Sequence, residues 1–441
     1  MIFCISNTDF LKNTKLLIWL YCLSTVFMIF FSISAIKNWP NHWAQISIVV
    51  ACMFPGLMIL ASSDACRNND NSSRYDVMLI LILFFLGGVN ILLSEARWES
   101  LKGMGLFLMS GVWIYSVTRI LFRKRFACKV FCWLCAFCFL VLIIWGGIEF
   151  YQGGGGLCQR VQLFSENPIP AGSLLILLSV GPVLLLPHVE KCWRLPLTLL
   201  LVLGGVVILL IGQRGAILAL LCMLVLGGLA KFKRFWIYPV FMVLLLGLGF
   251  SYKDKLPNLY YNKLVNWESV FIRLEYYRIA YQVVKEKPVF GIGFNAPIVR
   301  FIPPDYEAKY FRSDRGFSFN SVVAGVQTFD NMALCFFAEA GSLFALTYIF
   351  LFGCLFKRSF RLVGIGFGAR FYIFGIGAIV IGFAVQSLTF DSLRYPHLNW
   401  VFHSILGVLA NLDGLCDKDP LRQASSPRTG SDTLLGASLN N

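Results

Sequence analysis

The sequence predicts an all-α, polytopic membrane protein of about twelve transmembrane helices, with one long extramembrane loop layer that contains an amphipathic helix. Three observations predict it. Of 441 residues, 58% are hydrophobic and only 14% charged, and the mean hydropathy of +0.72 lies far outside the range of soluble globular domains. Apolar runs of roughly 17 to 25 residues, the helix length that crosses about 30 Å of hydrocarbon, recur from Leu17 almost to the end. These runs lack the two-residue alternation of barrel strands, so only helices can satisfy their backbone groups in lipid.

In order, the spans fall near 16–36, 43–62, 76–94, 103–122, 129–149, 170–187, 195–212, 215–230, 235–251, 331–355, 370–390 and 396–412. The first lacks a small-residue cleavage site and reads as a retained anchor. The net charge of +15 would suit nucleic acid, but its distribution answers differently. Arg123-Lys124-Arg125, Lys191 with Arg194, Lys231-Phe232-Lys233-Arg234, and Lys357-Arg358 with Arg361 follow the fourth, sixth, eighth and tenth spans. The positive-inside rule therefore puts all four in the cytoplasm, together with both termini. No nucleic acid is expected as a partner, and membrane lipids are.

Of the fourteen cysteines, most fall inside apolar spans, where a free thiol behaves as a small hydrophobe. Cys132, Cys135 and Cys138 sit three apart on one helix, but residues 130–148 around them include no His and no charged residue to orient a metal ligand. His42, His188, His397 and His403 have no metal spacing either, and neither a P-loop nor a dinucleotide glycine fingerprint is present. No metal and no cofactor are expected.

The chain divides into a helical bundle over residues 1–412, a large outer loop inserted in it at 252–330, and a polar tail at 413–441 that reads as disordered and cytoplasmic. The inserted loop is more than a linker. Ile272, Tyr276, Ile279 and Val283 recur at helical spacing, with Arg273, Tyr277 and Ala280 on the neighbouring stripe. This predicts an amphipathic helix lying on the membrane, stopped by Lys287-Pro288 and followed by a turn at Gly291-Ile292-Gly293.

Arg214 sits in the two- or three-residue turn between the seventh and eighth spans, at the outer surface. Such an arginine either snorkels to ordinary lipid phosphate or binds a specific anion. Arg273, on the same side, favours the second reading, because two planar five-donor guanidinium groups can hold a pyrophosphate from both sides. Arg160, Arg278, Arg300, Arg312, Arg315 and Arg394 make the outer face basic where positive charge should be scarce. Asp330, at the end of the long loop, is either a general base toward a hydroxyl or a helix N-cap. Glu339 reads as structural, paired with an arginine.

In this order, four segments resemble the O-antigen ligase and polymerase superfamily of bacterial inner-membrane glycosyltransferases. They are Arg160 with Asn167-Pro168; Gln213-Arg214-Gly215-Ala216; Arg273, Tyr277, Pro288, Gly291 and Gly293; and Asp330-Asn331 followed by Glu339-Ala340-Gly341. The resemblance covers roughly residues 150 to 350. It departs from the family pattern at Asp330, which stands where ligases carry a histidine implicated in catalysis.

The resemblance implies a glycan donor on undecaprenyl pyrophosphate, presented at the periplasmic face of the inner membrane, and a lipid A-core or a second lipid-linked glycan as acceptor. It also implies Arg214, Arg273 and Asp330 as the reacting set, and Arg160 as a further pyrophosphate ligand. Asn167, Tyr277, Asn331, Glu339 and Arg394 would support substrate or site. The expected activity is glycan transfer onto lipid A-core without a metal. A polymerase using the same donor, a protein O-oligosaccharyltransferase and a polysaccharide or lipid transporter are the competing readings. A transporter would need charged groups near mid-membrane on a two-sided path, whereas these candidates gather at one face.

Overall fold

The computed structural model describes residues 7–38, 71–153, 161–163, 168–231, 268–297, 329–361 and 367–412. Among them there is no strand. The helices are α1 (Asn7–Asn38), α2 (Asn71–Leu93), α3 (Arg97–Phe107), α4 (Trp113–Leu121), α5 (Arg125–Gln152), α6 (Pro168–Leu178) and α7 (Val180–Leu185). They continue as α8 (Lys191–Ile211), α9 (Arg214–Lys231), α10 (Glu268–Glu286), α11 (Met332–Cys335), α12 (Ser342–Arg361), α13 (Phe367–Ser387) and α14 (Pro396–Ala410). Wider π turns at Leu108–Val112 and Phe336–Ala340 follow α3 and α11.

Among the described residues, five stretches are long and apolar enough to cross a membrane: Tyr75–Leu93, Arg97–Leu121, Arg125–Gln152, Lys191–Ile211 and Ser342–Phe360. Shorter apolar helices occupy Lys15–Phe30, Ile169–Leu185, Arg214–Leu226 and Tyr372–Ser387. The expected spans at 43–62 and 235–251, and the tail at 413–441, lie outside the described residues. The expected tenth span differs in its start. Gly341, at φ +89°, breaks the run, so the continuous helix begins at Ser342 and not at 331.

At the centre of the bundle, every residue of α14 is buried, polar ones included. Lipid tails are as apolar as leucine, so close approach and hydrogen bonds, more than apolar burial, hold such a helix among its neighbours. Both are present. A Cβ on Gly111 would fall 2.5 Å from Asn399 Oδ1, and one on Gly407 would overlap Thr118, so glycines on both partners let α14 cross the α3–α4 helix closely. Asn399 Nδ2 donates to the Phe107 carbonyl and to Ser110 Oγ, each at 2.9 Å, beside the π turn that widens that helix. Further along, Trp400 donates to Thr25 of α1, Ser404 bonds the Tyr21 hydroxyl, and His403 bonds the Tyr348 hydroxyl of α12.

The two ends of the bundle differ in character. One carries a buried ion pair between Asp76 and Arg119 at 3.0 Å, and Asn411 donates to the Arg119 carbonyl there. Arg123-Lys124-Arg125 follows directly on this end. The opposite end gathers the turns at 94–96, 212–213, 287–296, 329–331 and 388–395, which build the site described next.

The amphipathic helix forms as α10, and it ends at Glu286, just before Lys287-Pro288. Its apolar stripe, however, rests on protein. Tyr276, Ile279, Ala280 and Val283 are buried with Ile292, Ala296, Phe329, Cys335 and Ala338. The stripe's partner is the 329–338 segment, whose own apolar side chains complete a small second core.

Candidate active site

Local backbone geometry brings the Gly-Ile-Gly turn and the Glu-Ala-Gly sequence into direct contact. The amides of Ile292 and Gly293 donate to the carbonyls of Ala338 and Glu339 at 3.1 and 3.0 Å, and those of Ser342 and Leu343 to Pro288 and Val289. A π turn and the break at Gly341 supply carbonyls and amides that a regular helix would pair internally. Side chains at the end of α2 and just beyond it lock the junction. Asn90 Nδ2 donates to the Phe290 and Glu339 carbonyls at 2.6 and 2.8 Å, while its Oδ1 accepts from the Phe294 amide at 3.0 Å. Ser94 donates to the Ile292 carbonyl and accepts from Ser100.

Beneath this junction lies a buried charge cluster. Glu339 is fully buried and pairs with Arg394, whose Nη1 also donates to Asn295 Oδ1 at 2.7 Å and whose Nε lies 3.1 Å from Asp391 Oδ2. The other Glu339 oxygen accepts from the Asn295 amide at 2.7 Å, and Asn295 itself adopts φ +65°. The Arg394 guanidinium sits 5.5 Å from the centre of the Phe294 ring. Burial opposes its charge, but Glu339 and Asp391 outweigh that and hold it firmly protonated. Isolated, such a carboxylate would be costly; matched and hydrogen-bonded, it fixes the 388–395 turn to the 291–296 turn.

Above the cluster, toward the open end, the Leu388 carbonyl accepts from Asn331 Nδ2 at 2.9 Å and from the Tyr277 hydroxyl at 3.2 Å. Asn331 also caps α11, accepting from the Leu334 amide at 3.2 Å. Asp330 is thereby relieved of the capping role. It takes φ +48°, an uncommon conformation for a non-glycine residue, and its Oδ2 lies 3.9 Å from Arg273 Nε. The two side chains remain 28% and 35% exposed, so their pairing is worth only about 0–1 kcal/mol and an anion can compete for the arginine. Both groups act on Tyr276: burial first and then the Asp330 charge raise its phenol pKa, while Arg273 opposes them.

Arg214 opens α9, half-exposed, and Gly215 beside it packs so closely on Thr389 that a Cβ would overlap the threonine hydroxyl. Gln386 reaches Gln213 Oε1 and the Ile169 carbonyl. One segment, 386–395, thus touches the Arg214 turn, the α6 start, α10 and the Glu339 junction.

Residues 199–349 match the family model Wzy_C, described as O-Antigen ligase. Over that segment the chain is similar to O-antigen ligases. The match runs from within α8 to the first half of α12 and includes Arg214, Arg273, Tyr277, Asp330, Asn331 and Glu339. No curated protein matches the chain.

Of the site residues expected from sequence, Arg160 and Asn167 lie outside the described residues. Arg273, Tyr277, Asp330 and Asn331 stand together, Arg214 adjoins the same 388–389 turn, and Glu339 with Arg394 lies beneath. Asn90, Ser94, Asn295, Asp391 and Gln386 escaped the sequence reading. Asn90 alone carried a signal there, as a lone amide in the apolar run 76–94. The neighbouring histidine is sealed away: His397 is fully buried near the Tyr395 ring, its two nitrogens without a hydrogen-bond partner among the described residues.

Proposed function

We propose that this protein is an O-antigen ligase-like glycosyltransferase of the bacterial inner membrane. It moves a glycan from undecaprenyl pyrophosphate to a lipid A-core acceptor at the periplasmic face, with both termini in the cytoplasm. The bundle at 1–412 carries the site, the stretch 252–330 is a large periplasmic loop inserted in it, and 413–441 is a cytoplasmic tail. The observation that carries the reading is the Arg273–Asp330 pair beside Tyr277 and Asn331, which both bond the Leu388 carbonyl, with the Arg214 turn packed on the next residue.

The chemistry follows from the donor. A glycosyl pyrophosphate already holds a good leaving group, so the enzyme's task is to neutralise the departing phosphate oxygens and orient the acceptor. Arg214 and Arg273, with Arg160 as a third ligand, bind the pyrophosphate without a metal. The acceptor hydroxyl attacks the anomeric carbon and its proton passes to the Asp330 carboxylate. The bond from that carbon to the phosphate oxygen breaks, and the electron pair leaves with undecaprenyl pyrophosphate. Arg394 and Glu339 act as supports, holding the turns that carry these groups.

The test is transfer by the purified full chain, using a defined undecaprenyl-pyrophosphate glycan and lipid A-core. Transfer that persists under chelation and disappears in Arg214→Ala and Arg273→Ala supports the reading. Lengthening of the glycan on its carrier would make the protein a polymerase instead. Transfer to a protein hydroxyl would make it a protein glycosyltransferase, and glycolipid movement with no bond made would make it a transporter.

A further inference from the structure

Helices α5 and α8 run side by side, both starting at the end of the bundle that holds Asp76 and Arg119. A Cβ on Gly204 of α8 would overlap the Phe139 ring of α5, so the two helices approach closely in their middle turns. Nearer their starts the contact is aromatic. Trp133 and Trp193 meet edge to face at 6.0 Å, and they are 43% and 53% exposed. Lys129 lies one turn before Trp133 on the same face of α5, about 6 Å along the axis at 1.5 Å per residue. Lys191 and Arg194 flank Trp193 on the first turn of α8, where every residue from Lys191 to Pro196 is exposed.

Three exposed cations thus gather at one tryptophan pair. None of them forms an ion pair among the described residues, in contrast to Arg119 and Arg394, which buried carboxylates hold. The sequence nearby supplies little acid: residues 123–140 contain none, and residues 187–200 contain Glu190 alone. On the other side of the tryptophans, away from the cations, Phe137 and Leu140 of α5 and Leu199 and Val202 of α8 are exposed. The surface therefore passes from charge, through indole rings, to an apolar face. A phospholipid leaflet has the same order, from phosphate through the glycerol layer to the acyl chains.

We propose that this patch binds an anionic phospholipid of the cytoplasmic leaflet, with its phosphate on Lys129, Lys191 and Arg194 and its glycerol region against the two indoles. The choice of leaflet follows from the positive-inside orientation given above. Charge complementarity selects an anionic lipid, because a zwitterionic headgroup brings a cation of its own to three unpaired positive charges. An acidic segment of a soluble protein would satisfy the charges but leave the exposed rings and the apolar face beside them unused. The site lies at the far end of the bundle from Arg214 and Arg273, and it binds lipid whether or not the protein transfers glycans.

Native mass spectrometry of the full chain, titrated with phosphatidylglycerol or with phosphatidylethanolamine of the same acyl chains, tests this. Phosphatidylglycerol should bind at least about tenfold more tightly, and rising salt should release it. Each cation at the surface contributes about fivefold to affinity, so Lys129→Gln, Lys191→Gln and Arg194→Gln combined should weaken binding roughly a hundredfold and erase the preference. If that variant fails to fold, Lys191→Gln with Arg194→Gln should still lose about 25-fold. Lys285→Gln, at an exposed lysine of α10, is the control and should bind as the wild type does.

Equal retention of the two lipids, unchanged affinity in the charge variants, or an equal loss in Lys285→Gln would overturn the site. Displacement of bound phosphatidylglycerol by polyglutamate at lower concentration than by free phosphatidylglycerol would make the patch a protein-docking surface instead.

Discussion

The α-carbon of Gly291 lies so close to the backbone carbonyl of Glu339 that any side chain on the glycine would overlap the carbonyl oxygen. The contact joins two motifs almost fifty residues apart in sequence, and it is reciprocal: a Cβ on Gly341 would overlap the Val289 carbonyl oxygen. Both glycines have positive φ, +67° and +89°.

Gly291→Ala should therefore destabilise the protein by at least about 1–2 kcal/mol from left-handed backbone strain alone, before any displacement of the 338–341 backbone. Thermal unfolding of the detergent-solubilised chain measures it. Gly88→Ala is the control, since nothing lies within 4 Å of the Cβ it would add. Equal melting temperatures for the two variants would refute the close approach.

Removing the cation of the buried cluster should cost more than removing one of its two carboxylates. Arg394→Ala strips both Glu339 and Asp391 of their partner and should destabilise by about 3–5 kcal/mol, whereas Glu339→Ala leaves Arg394 paired with Asp391 and should cost less. A double-mutant cycle on unfolding provides the check. Additive losses would mean that the two side chains do not depend on each other.

Arg273 stands in the opposite regime. Its pairing with Asp330 is half-open, so Arg273→Ala should shift stability by less than about 1 kcal/mol. As a phosphate ligand, its loss should slow transfer by about 10²–10³-fold. Activity and melting temperature measured on one preparation separate these effects. Near-normal turnover would remove Arg273 from the reaction.

Asp330 and its neighbour should divide in the same way. Asn331→Ala removes the N-cap of α11 and should cost about 1 kcal/mol. Asp330→Asn should leave stability almost unchanged and lower turnover by about 10²–10⁴-fold if the carboxylate accepts the acceptor's proton. Turnover preserved in Asp330→Asn would reduce that residue to a structural turn.

The sequence alone determined the membrane class, the helical architecture and the ordered motifs. Each depends on local quantities: apolar run length, the spacing of Ile279 and Val283, and Arg-Gly or Gly-x-Gly at a turn. It also anticipated that Glu339 would pair with an arginine, since a carboxylate within an apolar run needs a partner. It could not say which arginine, because Arg394 lies 55 residues further on.

Tertiary structure decided that choice and three others. Asn331, rather than Asp330, caps α11. The apolar stripe of α10 packs on the 329–338 segment, because that segment offers a matching apolar face. The 386–395 segment, unremarkable in sequence apart from Arg394, became the hub touching every described motif. The physical reason is common to all three: a hydrogen bond or a close backbone contact depends on where two distant segments meet in space, and periodicity along one segment carries no information about the other.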